Sequence, residues 1–583
     1  MRSATSYFKT LVRSDLRHYW PICFGYTFIW IIMLPIRLIR ELPIAQDPKF
    51  TASGILYSSF LPALIMAVFF GLITAMACYS YLMNNRSVGL LHSLPAKRRT
   101  HFLAHFTAGM GMLTFGNVVV FALSVLAQIS AMGSVKWGVS LMWLLIATLF
   151  CLIFFAIAIF CTMFTGWLLA VPVLYVAINF VVIATKLLIE GLFSLLYKGY
   201  AGGGSVAFAD WMTPIIKLGG AIDNMDYPRA IHVMDFDGGR EVINAVVIYA
   251  VAALVLLGVS YLLYCLRHSE SAGDSVAFPW AKPIFRYVIA LLGGLACGLG
   301  LYMLVFDGGS DESIPGLLIC LLIMTVLCYF AADMLIRKSL RVFRQSWKGM
   351  VVSCAVIVAL FAVLRLDLFG YERYVPQASE VENVLVNINA CNYALGGGED
   401  EELILAAIDA HEAAIAQEDT EDYAACCQFR VFYTLKNGRE VSRSYNLKME
   451  KDSPLYEAIN RLANTKTVRH DTVMGKGEDL KPDDIFGGYV GLADRYCEMT
   501  PEQARTLYAA LLSDATSGEG TWDVLAENNE AGRYCYIEFS LLNFNTLYVD
   551  VVPDYCTQAW AVIQSLPTEG ADPFINEEYA IEP

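Results

Sequence analysis

Charged side chains are scarce in this chain, and long stretches of it carry none. Asp, Glu, Lys and Arg make up 16% of the 583 residues, whereas hydrophobic residues make up 57%. Soluble globular proteins carry about 25% charged residues, so the composition excludes an ordinary soluble protein and indicates a lipid bilayer as solvent. The length also exceeds what one hydrophobic core usually supports, and at least two domains are expected.

Several motifs of enzymes and metal sites are also missing. The sequence contains no phosphate loop of the form GxxxxGK[ST], no HExxH, no GxSxG and no CxxC pair. These absences argue against an ATPase, a zinc protease, an α/β-hydrolase and a thiolate zinc site. His411 and His470 are isolated in the sequence. No catalytic site, cofactor or metal is therefore expected in this chain, and nothing indicates a nucleic-acid partner.

The charges are divided unevenly along the chain. Up to Leu366 there are 26 Lys and Arg against 16 Asp and Glu, and from Asp367 onward there are 15 against 39. The cysteines divide at the same point: nine lie scattered in the apolar half, where they act as small hydrophobic residues, and six lie in the acidic tail. Six cysteines in an exported domain permit disulfides, but 15 pairings are open.

Nine apolar segments before Leu366 are long enough to cross a bilayer, for which about 20 residues are needed. Only Thr165 and Gly166 separate the fourth segment from the fifth, and Pro35 and Arg37 limit the first. Asp333 in the eighth segment precedes Arg337 by four residues, a spacing that predicts a local ion pair. The predicted spans are Trp20–Ile36, Ser59–Met83, Phe106–Ser130, Val139–Phe164, Trp167–Leu188, Val242–Leu266, Tyr287–Phe306, Ile314–Ile336 and Met350–Leu364.

The distribution of Lys and Arg predicts which connections face the cytoplasm. With a cytoplasmic N-terminus, the inner segments hold 16 basic residues in 76 positions, and the outer loops hold nine in 93. The protein is thus expected in the plasma membrane of a bacterial cell. Nine spans from a cytoplasmic N-terminus then leave the C-terminal tail outside the cytoplasm. The inner segments are 1–19, 84–105, 165–166, 267–286 and 337–349, and the outer loops are 37–58, 131–138, 186–241 and 307–313.

Two inner segments have more pattern than a plain connection needs. Residues 1–19 form a helix with one apolar and one basic face, which predicts a helix lying on the inner leaflet; a basic anchor that only fixes topology is the alternative. Residues 84–99 are basic and amphipathic, and Pro95 ends any helix there after one or two turns. A loop that serves only the charge bias is the alternative here.

The second of these segments resembles the permease subunits of bacterial type-2 ATP-binding-cassette exporters, in the antibiotic- and peptide-export branch. A loop after the second span of that family reads LxxLPxxRxxxF, which Leu91, Leu94, Pro95, Arg98 and Phe102 match. The family also has an inner-leaflet helix and six spans with a longer outer loop between the fifth and sixth. That order matches the predicted helix 1–19 and the six-span unit 20–266 with its outer loop 186–241.

The resemblance implies a short coupling helix that docks on a separate ATPase subunit, so that ATP belongs to the partner. It also implies a homo- or heterodimer of permeases, in contact with membrane lipid, that exports a peptide, antibiotic or lipid-like substrate. The residues it would place at the ATPase are Arg86, Leu91, Leu94, Pro95, Lys97, Arg98, Arg99 and Phe102.

A second ATPase contact is our hypothesis for the inner loop 267–286, whose run Arg-x-Ser-Glu-x-Ala-Gly is similar to one in some permeases of this branch. The alternative is a simple loop on the membrane surface, where exposed aromatic residues are also common. The residues concerned are Glu270, Gly273, Phe278 and Trp280.

The chain departs from the family's smallest form after residue 286, where three further spans (287–366) and a tail (371–583) follow. A receptor or scaffold whose acidic outer domain binds a ligand is therefore the alternative function. The tail is predicted to be an α+β domain. Lys436-Asn437-Gly438-Arg439 between two alternating strands indicates a hairpin, and Gly396–Gly398 is predicted to be a mobile turn.

Two related helix–hairpin–helix halves are predicted in the tail, about 100 residues apart, with coincidence as the alternative. The fold class expected is thus a polytopic α-helical membrane protein of about nine spans with an extracytoplasmic α+β tail. The predicted tail elements are helices Glu401–Ala416, Pro454–Ala463, Pro501–Ser513 and Asp554–Ser565 and strands Phe429–Leu435, Val441–Leu447, Tyr534–Leu541 and Thr546–Val552.

Overall fold

The computed structural model divides the chain into two compact units. The helical unit comprises Met1–Ile189, Ser205–Val305 and Pro315–Val358, and the tail unit comprises Glu190–Gly204, Phe306–Ile314 and Ala359–Pro583. The residues described are 2–92, 97–202, 207–223, 237–268, 271–306, 313–389, 393–417, 426–451, 453–474, 482–492, 496–517, 535–541, 546–551 and 556–567.

Fifteen helices precede the tail in the described part of the chain. Two short 3-10 helices, Leu42–Ile44 and Ser80–Met83, follow α3 and α5. The helices are α1 Arg2–His18, α2 Trp20–Met33, α3 Pro35–Glu41, α4 Pro48–Ser58, α5 Phe60–Cys78, α6 Asn85–His92, α7 Arg98–Met132, α8 Trp137–Phe164, α9 Ala170–Leu196, α10 Ala207–Trp211, α11 Pro214–Asp223, α12 Asp237–Leu266, α13 Ala281–Val305, α14 Ile314–Arg337 and α15 Phe343–Arg365.

Nine helical segments among the described residues are long and apolar enough to cross a membrane, which is the predicted number. The chain is thus a mostly helical protein of multi-pass membrane character. The segments are Trp20–Ile44, Pro48–Cys78, Arg98–Met132, Trp137–Phe164, Ala170–Leu196, Glu241–Leu266, Ala281–Val305, Ile314–Arg337 and Phe343–Arg365.

The first two segments are longer than predicted. Proline has no N–H for the helical ladder, yet Pro35 only interrupts the first helix, which resumes as α3 and ends at Glu41. The second segment begins at Pro48, because Asp47 Oδ1 accepts hydrogen bonds from the backbone N–H groups of Lys49 and Phe50 and caps α4. The outer loop predicted over 37–58 is therefore largely helical in the structure.

The long connection predicted over 186–241 is also largely helical. Helix α9 continues to Leu196, and α10 and α11 lie between it and α12. By contrast, the break predicted at Thr165 and Gly166 is confirmed: α8 ends at Phe164 and α9 begins at Ala170.

Helix α8 is the centre of the helical unit. About two thirds of the residues in the most apolar stretch of α8 are buried, whereas in the corresponding stretch of α9 the share is 11%. The Trp143 ring on α8 packs edge-on against Trp30 of α2, with 5.0 Å between the ring centroids. Both indoles are fully buried. Helix α8 is therefore the scaffold on which α5, α7 and α12 pack.

Helices α13 and α14 approach each other closely through a GxxxG pair. A Cβ on Gly294 would lie 2.3 Å from Thr325 Oγ1, and one on Gly298 would lie 2.8 Å from the Leu321 Cα. Small residues let two apolar helices pack backbone to backbone where no hydrophobic force draws them together. These two glycines therefore fix the α13–α14 contact.

The tail contains two four-stranded antiparallel sheets with the same topology. The first has order β2-β1-β3-β4 and the second β6-β5-β7-β8. In each, a helix joins the second strand to the third: α16 Glu401–Ala416 and α19 Pro501–Ser517. The strands are β1 Val381–Asn389, β2 Tyr393–Gly398, β3 Cys426–Leu435, β4 Glu440–Lys448, β5 Ile485–Leu492, β6 Tyr496–Met499, β7 Cys535–Leu541 and β8 Thr546–Val551.

The two halves also agree in detail. Each begins with a 3-10 turn, Ala378–Glu380 or Pro482–Asp484, and each ends with a helix, α17 Pro454–Ala463 or α20 Thr557–Ser565. The first strand of each half has its register shift one residue after its start, between Val381 and Asn383 and between Ile485 and Gly487. The sequence predicted only the later hairpin of each half.

The first hairpin of each half was missed, and Gly396–Gly398 is strand rather than a turn. The reason is a close approach by helix α18 (Lys466–Met474). A Cβ on Gly396 would lie 2.7 Å from the Val468 Cα. The side chains of α18 also satisfy this edge of the sheet: Asp471 Oδ2 accepts from Gly397 N at 2.9 Å and Thr472 Oγ1 from Leu395 N at 3.2 Å.

A buried histidine sits in the core of the first half. His411 lies between two tyrosines, with Nε2 3.1 Å from the Tyr445 hydroxyl and Nδ1 3.3 Å from the Tyr433 hydroxyl. Tyr433 donates its proton to the Ala407 carbonyl, an arrangement that suits a neutral imidazole. Burial, with a smaller contribution from the charge of Arg443, lowers the pKa of His411 to about 3.

We expect this histidine to make the tail sensitive to acid. The unfolded chain binds a proton at position 411 below about pH 6.5, whereas the folded chain does not until about pH 3. The contribution of neutral His411 to the free energy of unfolding is therefore fully present above pH 6.5. It falls by roughly 1.4 kcal/mol per pH unit between pH 6.5 and about pH 3. Hydrogen exchange of the β3 and β4 amides in the full chain measures this loss. His411→Gln, which does not titrate, should flatten the slope, and equal slopes would contradict the assignment.

Candidate coupling site

Helix α6 is a short helix that lies in the chain between the 3-10 helix Ser80–Met83 and the long helix α7. The Asn84 side chain caps it, accepting a hydrogen bond from the backbone N–H of Arg86 at 3.0 Å. Val88 is buried, which anchors one face of the helix, whereas Arg86 is exposed and Leu90 is 68% exposed. Helix α6 thus presents a basic and an apolar side chain outward from an anchored base.

The predicted docking residues take different positions around this helix. Leu91 lies in the last turn of α6, while Leu94 and Pro95 lie outside the described residues. Lys97 and Arg99 are exposed at the start of α7. Phe102 is buried, with its ring 5.9 Å from Tyr79 and 5.6 Å from Tyr261. Phe102 is therefore a core residue of the helical unit.

Arg98 ties the start of α7 to the end of α12. Its Nη1 donates to the carbonyl oxygens of Tyr264 at 3.2 Å, Cys265 at 2.6 Å and Arg267 at 3.2 Å. The last carbonyls of a helix have no partner within the helix, and a cation there also meets the negative end of the helix dipole. Arg98 is thus half-buried and engaged within the chain.

Arg267 repeats this arrangement one residue beyond α12. It is buried, and its guanidinium donates to Thr162 O at 2.8 Å and Met163 O at 3.3 Å, at the end of α8, and to Leu82 O at 3.0 Å in the 3-10 helix after α5. Burial lowers the pKa of Arg267 to about 10. Together, Arg98 and Arg267 link α7, α12, α8 and the end of α5.

The 267–286 loop is folded onto the turn between α8 and α9. Gly166 N donates to Asp274 O at 2.8 Å, and Gly273 N donates back to Gly166 O at 2.7 Å. A Cβ on Gly166 would lie 2.0 Å from the Ser271 carbonyl oxygen, and Gly273 has a φ of +88°. Both glycines are needed for this pairing.

Among the described loop residues predicted to contact a partner, one exposes a large side chain. Trp280 is 57% exposed, whereas Phe278 is buried, its ring 5.6 Å from Phe164. Gly273 lies in the paired segment, and Glu270 lies outside the described residues. Of the described residues in this predicted contact set, Trp280 is thus the one with an exposed aromatic side chain.

Helix α1 lies against the start of α7. Asp15 and His105 are both buried, and the carboxylate Oδ2 is 2.6 Å from His105 Nδ1. The Tyr7 ring packs edge-on against His101 at 5.5 Å. The N-terminal helix is thereby fixed to the same span that follows α6.

Asp333 forms the predicted ion pair with Arg337, and the structure adds two partners. Its Oδ2 lies 3.0 Å from Arg337 Nε, and its Oδ1 lies 3.1 Å from Arg286 Nη1 on α13. Ser346 at the start of α15 donates a hydrogen bond to the same carboxylate. One buried carboxylate therefore joins three helices.

Sequence reasoning missed the roles of Asp15, His105 and Arg267. A signal existed for Arg267, because it directly follows an apolar run at a helix C-terminus, where cations are favoured. Asp15 and His105 are 90 residues apart, and only the packing of α1 on α7 brings them together.

Side chains of metal-binding type do not gather in the part of the chain that the structure describes. Among the described residues, no group of three or more His, Cys, Asp and Glu side chains is placed to hold a metal ion. The coupling site thus consists of helix surfaces and cations. No protein-family model, curated protein or solved structure matches the chain.

Proposed function

We propose that the chain is the membrane subunit of an ATP-binding-cassette exporter, driven by a separate ATPase subunit that docks on α6. It would move a peptide, antibiotic or lipid-like molecule out of the cytoplasm or the inner leaflet, as a homo- or heterodimer. The N-terminus and α6 would face the cytoplasm, and the tail would lie outside. The nine apolar segments and the bias of Lys and Arg toward one set of connections support this placement.

The observation that carries the proposal is the anchored position of α6. A docking element must expose side chains to its partner and must also be connected to the parts that move. Helix α6 exposes Arg86 and Leu90 and is anchored by Val88. A helix that only contributed to the charge bias would not need such an anchor.

The arginine network supplies a path for the force. Helix α6 immediately precedes α7 in the sequence, and Arg98 and Arg267 connect α7 to α12, α8 and the end of α5. Packed helices with hydrogen-bonded ends move as rigid elements. ATPase closure would then shift several spans together, which favours alternating access over local rearrangement.

The tail unit supports a role linked to the spans. The segment after α9 adds to the edge of the first sheet, where Ser444 N donates to Gly199 O at 3.2 Å. Lys198 Nζ donates to the last carbonyls of α16, Ala414 O at 3.3 Å and Ile415 O at 3.2 Å. In an exporter, the tail would gate, bind or shield the exported molecule. A receptor or scaffold whose acidic tail binds a ligand is the second candidate function.

Affinity capture of the solubilised chain tests the exporter proposal. We expect a phosphate-loop ATPase to co-purify with the chain. We also expect the captured material to hydrolyse ATP. The double variant Arg86→Glu/Leu90→Asp changes only exposed side chains of α6 and should lower the ATPase recovered by about tenfold, since interface residues of this kind contribute about 1.4 kcal/mol or more.

Arg341→Glu is the matched control, because Arg341 is also exposed and lies in the connection before α15. It should leave the recovery unchanged. If no ATPase is captured with the unmodified chain, the exporter proposal fails. The receptor function is then the better supported of the two. If Arg341→Glu lowers the recovery of the ATPase as much as the α6 variant does, the loss results from the change in surface charge and not from α6.

A further inference from the structure

A groove lies between α7 and α12, beside the coupling site. Its volume is about 310 Å³, and six of its seven lining residues are apolar, aromatic or glycine. Leu103 is 38% exposed, and Tyr261 is half-buried. The lining residues are Arg99, Phe102, Leu103, Phe106, Leu257, Gly258 and Tyr261.

The groove has one charged end and one apolar end. Arg99 marks the charged end, one residue after the start of α7. Leu257 marks the apolar end. It lies nine residues before the end of α12 at Leu266, or about 13 Å along the helix axis at 1.5 Å per residue. The hydrocarbon core of a bilayer is about 30 Å thick, so a groove that starts at the headgroup level and has this length would end before the midplane. Its length and polarity match one leaflet.

The charge at the headgroup end is available. Its neighbour Arg98 is engaged with the end of α12, whereas Arg99 is exposed. None of the ion pairs between described residues involves Arg99. A guanidinium can hold a phosphate through two parallel hydrogen bonds, and a tyrosine beside it suits the interface.

We infer that this groove binds one anionic phospholipid of the leaflet on the α6 side, with the phosphate at Arg99 and an acyl chain along Phe106 and Leu257. A second copy of the chain is a poorer occupant, because a protein surface would have to bring an anion to Arg99 within an otherwise apolar contact. The inference requires only that the helices lie in a bilayer, so it stands independently of the ATPase.

Gly258 offers a clean way to test it. Nothing lies within 4 Å of where a Cβ on Gly258 would be, so a larger side chain there fills the groove without disturbing the packing. Gly111 on α7 has the same open surroundings outside the groove. Gly258→Leu and Gly111→Leu are therefore matched variants, as are Arg99→Ala and Lys97→Ala, which each remove one exposed charge.

Native mass spectrometry of the full chain in detergent, with equal amounts of dioleoyl phosphatidylglycerol and dioleoyl phosphatidylcholine, counts the retained lipids. Arg99→Ala should lower phosphatidylglycerol retention about fivefold, since a basic residue near an anionic headgroup contributes about 1 kcal/mol. It should lower phosphatidylcholine retention less, because the choline cation offsets the charge of the same phosphate. Gly258→Leu should remove both lipids. Lys97→Ala and Gly111→Leu should change retention by less than about twofold.

Three results would overturn the inference. The first is that the unmodified chain retains neither lipid. The second is an equal loss of phosphatidylglycerol from Arg99→Ala and Lys97→Ala, which would assign the effect to general surface charge. The third is a dimer that Gly258→Leu converts to monomer, which would place a second copy in the groove. The thermal unfolding midpoint of each variant checks that it is folded.

Discussion

Replacing Arg267 by alanine is expected to destabilise the helical unit by about 3 kcal/mol or more. The substitution leaves the carbonyls of Thr162, Met163 and Leu82 without their donor in a buried position. Each unsatisfied buried carbonyl costs about 1–3 kcal/mol, and part of the sum is offset because the buried guanidinium no longer has to be desolvated.

The measurement is the unfolding midpoint of the detergent-solubilised chain, in heat and in dodecyl sulfate. Arg267→Lys should recover only part of the loss, because one ammonium cannot reach the ends of two elements in the fixed fork geometry of arginine. Arg341→Ala removes an exposed arginine and should have little effect. A midpoint of Arg267→Ala equal to that of the unmodified chain would mean that the network does not hold the helix ends together.

Asp333→Ala is expected to have a comparable effect, about 3 kcal/mol, for the opposite reason. Asp333 is 1% exposed and faces Arg286 and Arg337. Its removal leaves two cations near each other without a counter-charge, and breaking a buried pair in this way costs about 3–5 kcal/mol. We place the loss at the lower end, because both arginine side chains are partly exposed and can reach toward water.

A charge-free variant separates this effect from packing. Arg286→Met/Asp333→Leu/Arg337→Met removes all three charges and should recover most of the stability that Asp333→Ala loses, because a well-packed apolar set can replace a buried ionic cluster. Unfolding midpoints of both variants and of the unmodified chain test this expectation. If the triple variant is less stable than Asp333→Ala, the cluster stabilises the chain through more than charge neutralisation.

Features set by local sequence were predicted well. Long apolar runs define the spans because an isolated backbone in lipid must satisfy its own hydrogen bonds. Helix α16 was predicted with its observed bounds, Glu401–Ala416, since its period, its acidic first turn and its flanking residues all agree. The hairpin of β3 and β4 follows in the same way from Asn437 and Gly438.

Features set by contacts between distant segments could not be read from one sequence. Arg98 matched a docking pattern, yet the approach of α12 engages it within the chain. The sequence predicts a turn at Gly396–Gly398, because the glycines at the end of β2 are explained only by α18, about 70 residues later. Helix α3 after Pro35 required the packing of its neighbours to favour a resumed helix over an irregular loop.

The side of the membrane on which α6 and the tail lie is the most direct test of the whole account. Leu90→Cys on α6 and Asn437→Cys in the β3–β4 turn each place a thiol at an exposed position. A membrane-impermeant maleimide added to intact cells measures their accessibility, with the unsubstituted chain as the background.

We expect the thiol at position 437 to be labelled from outside, and the thiol at position 90 to be labelled only after the cells are permeabilised. Labelling of position 90 from outside, or of both positions on the same side, would contradict it, because α6 could then not meet a cytoplasmic ATPase while the tail lies across the membrane.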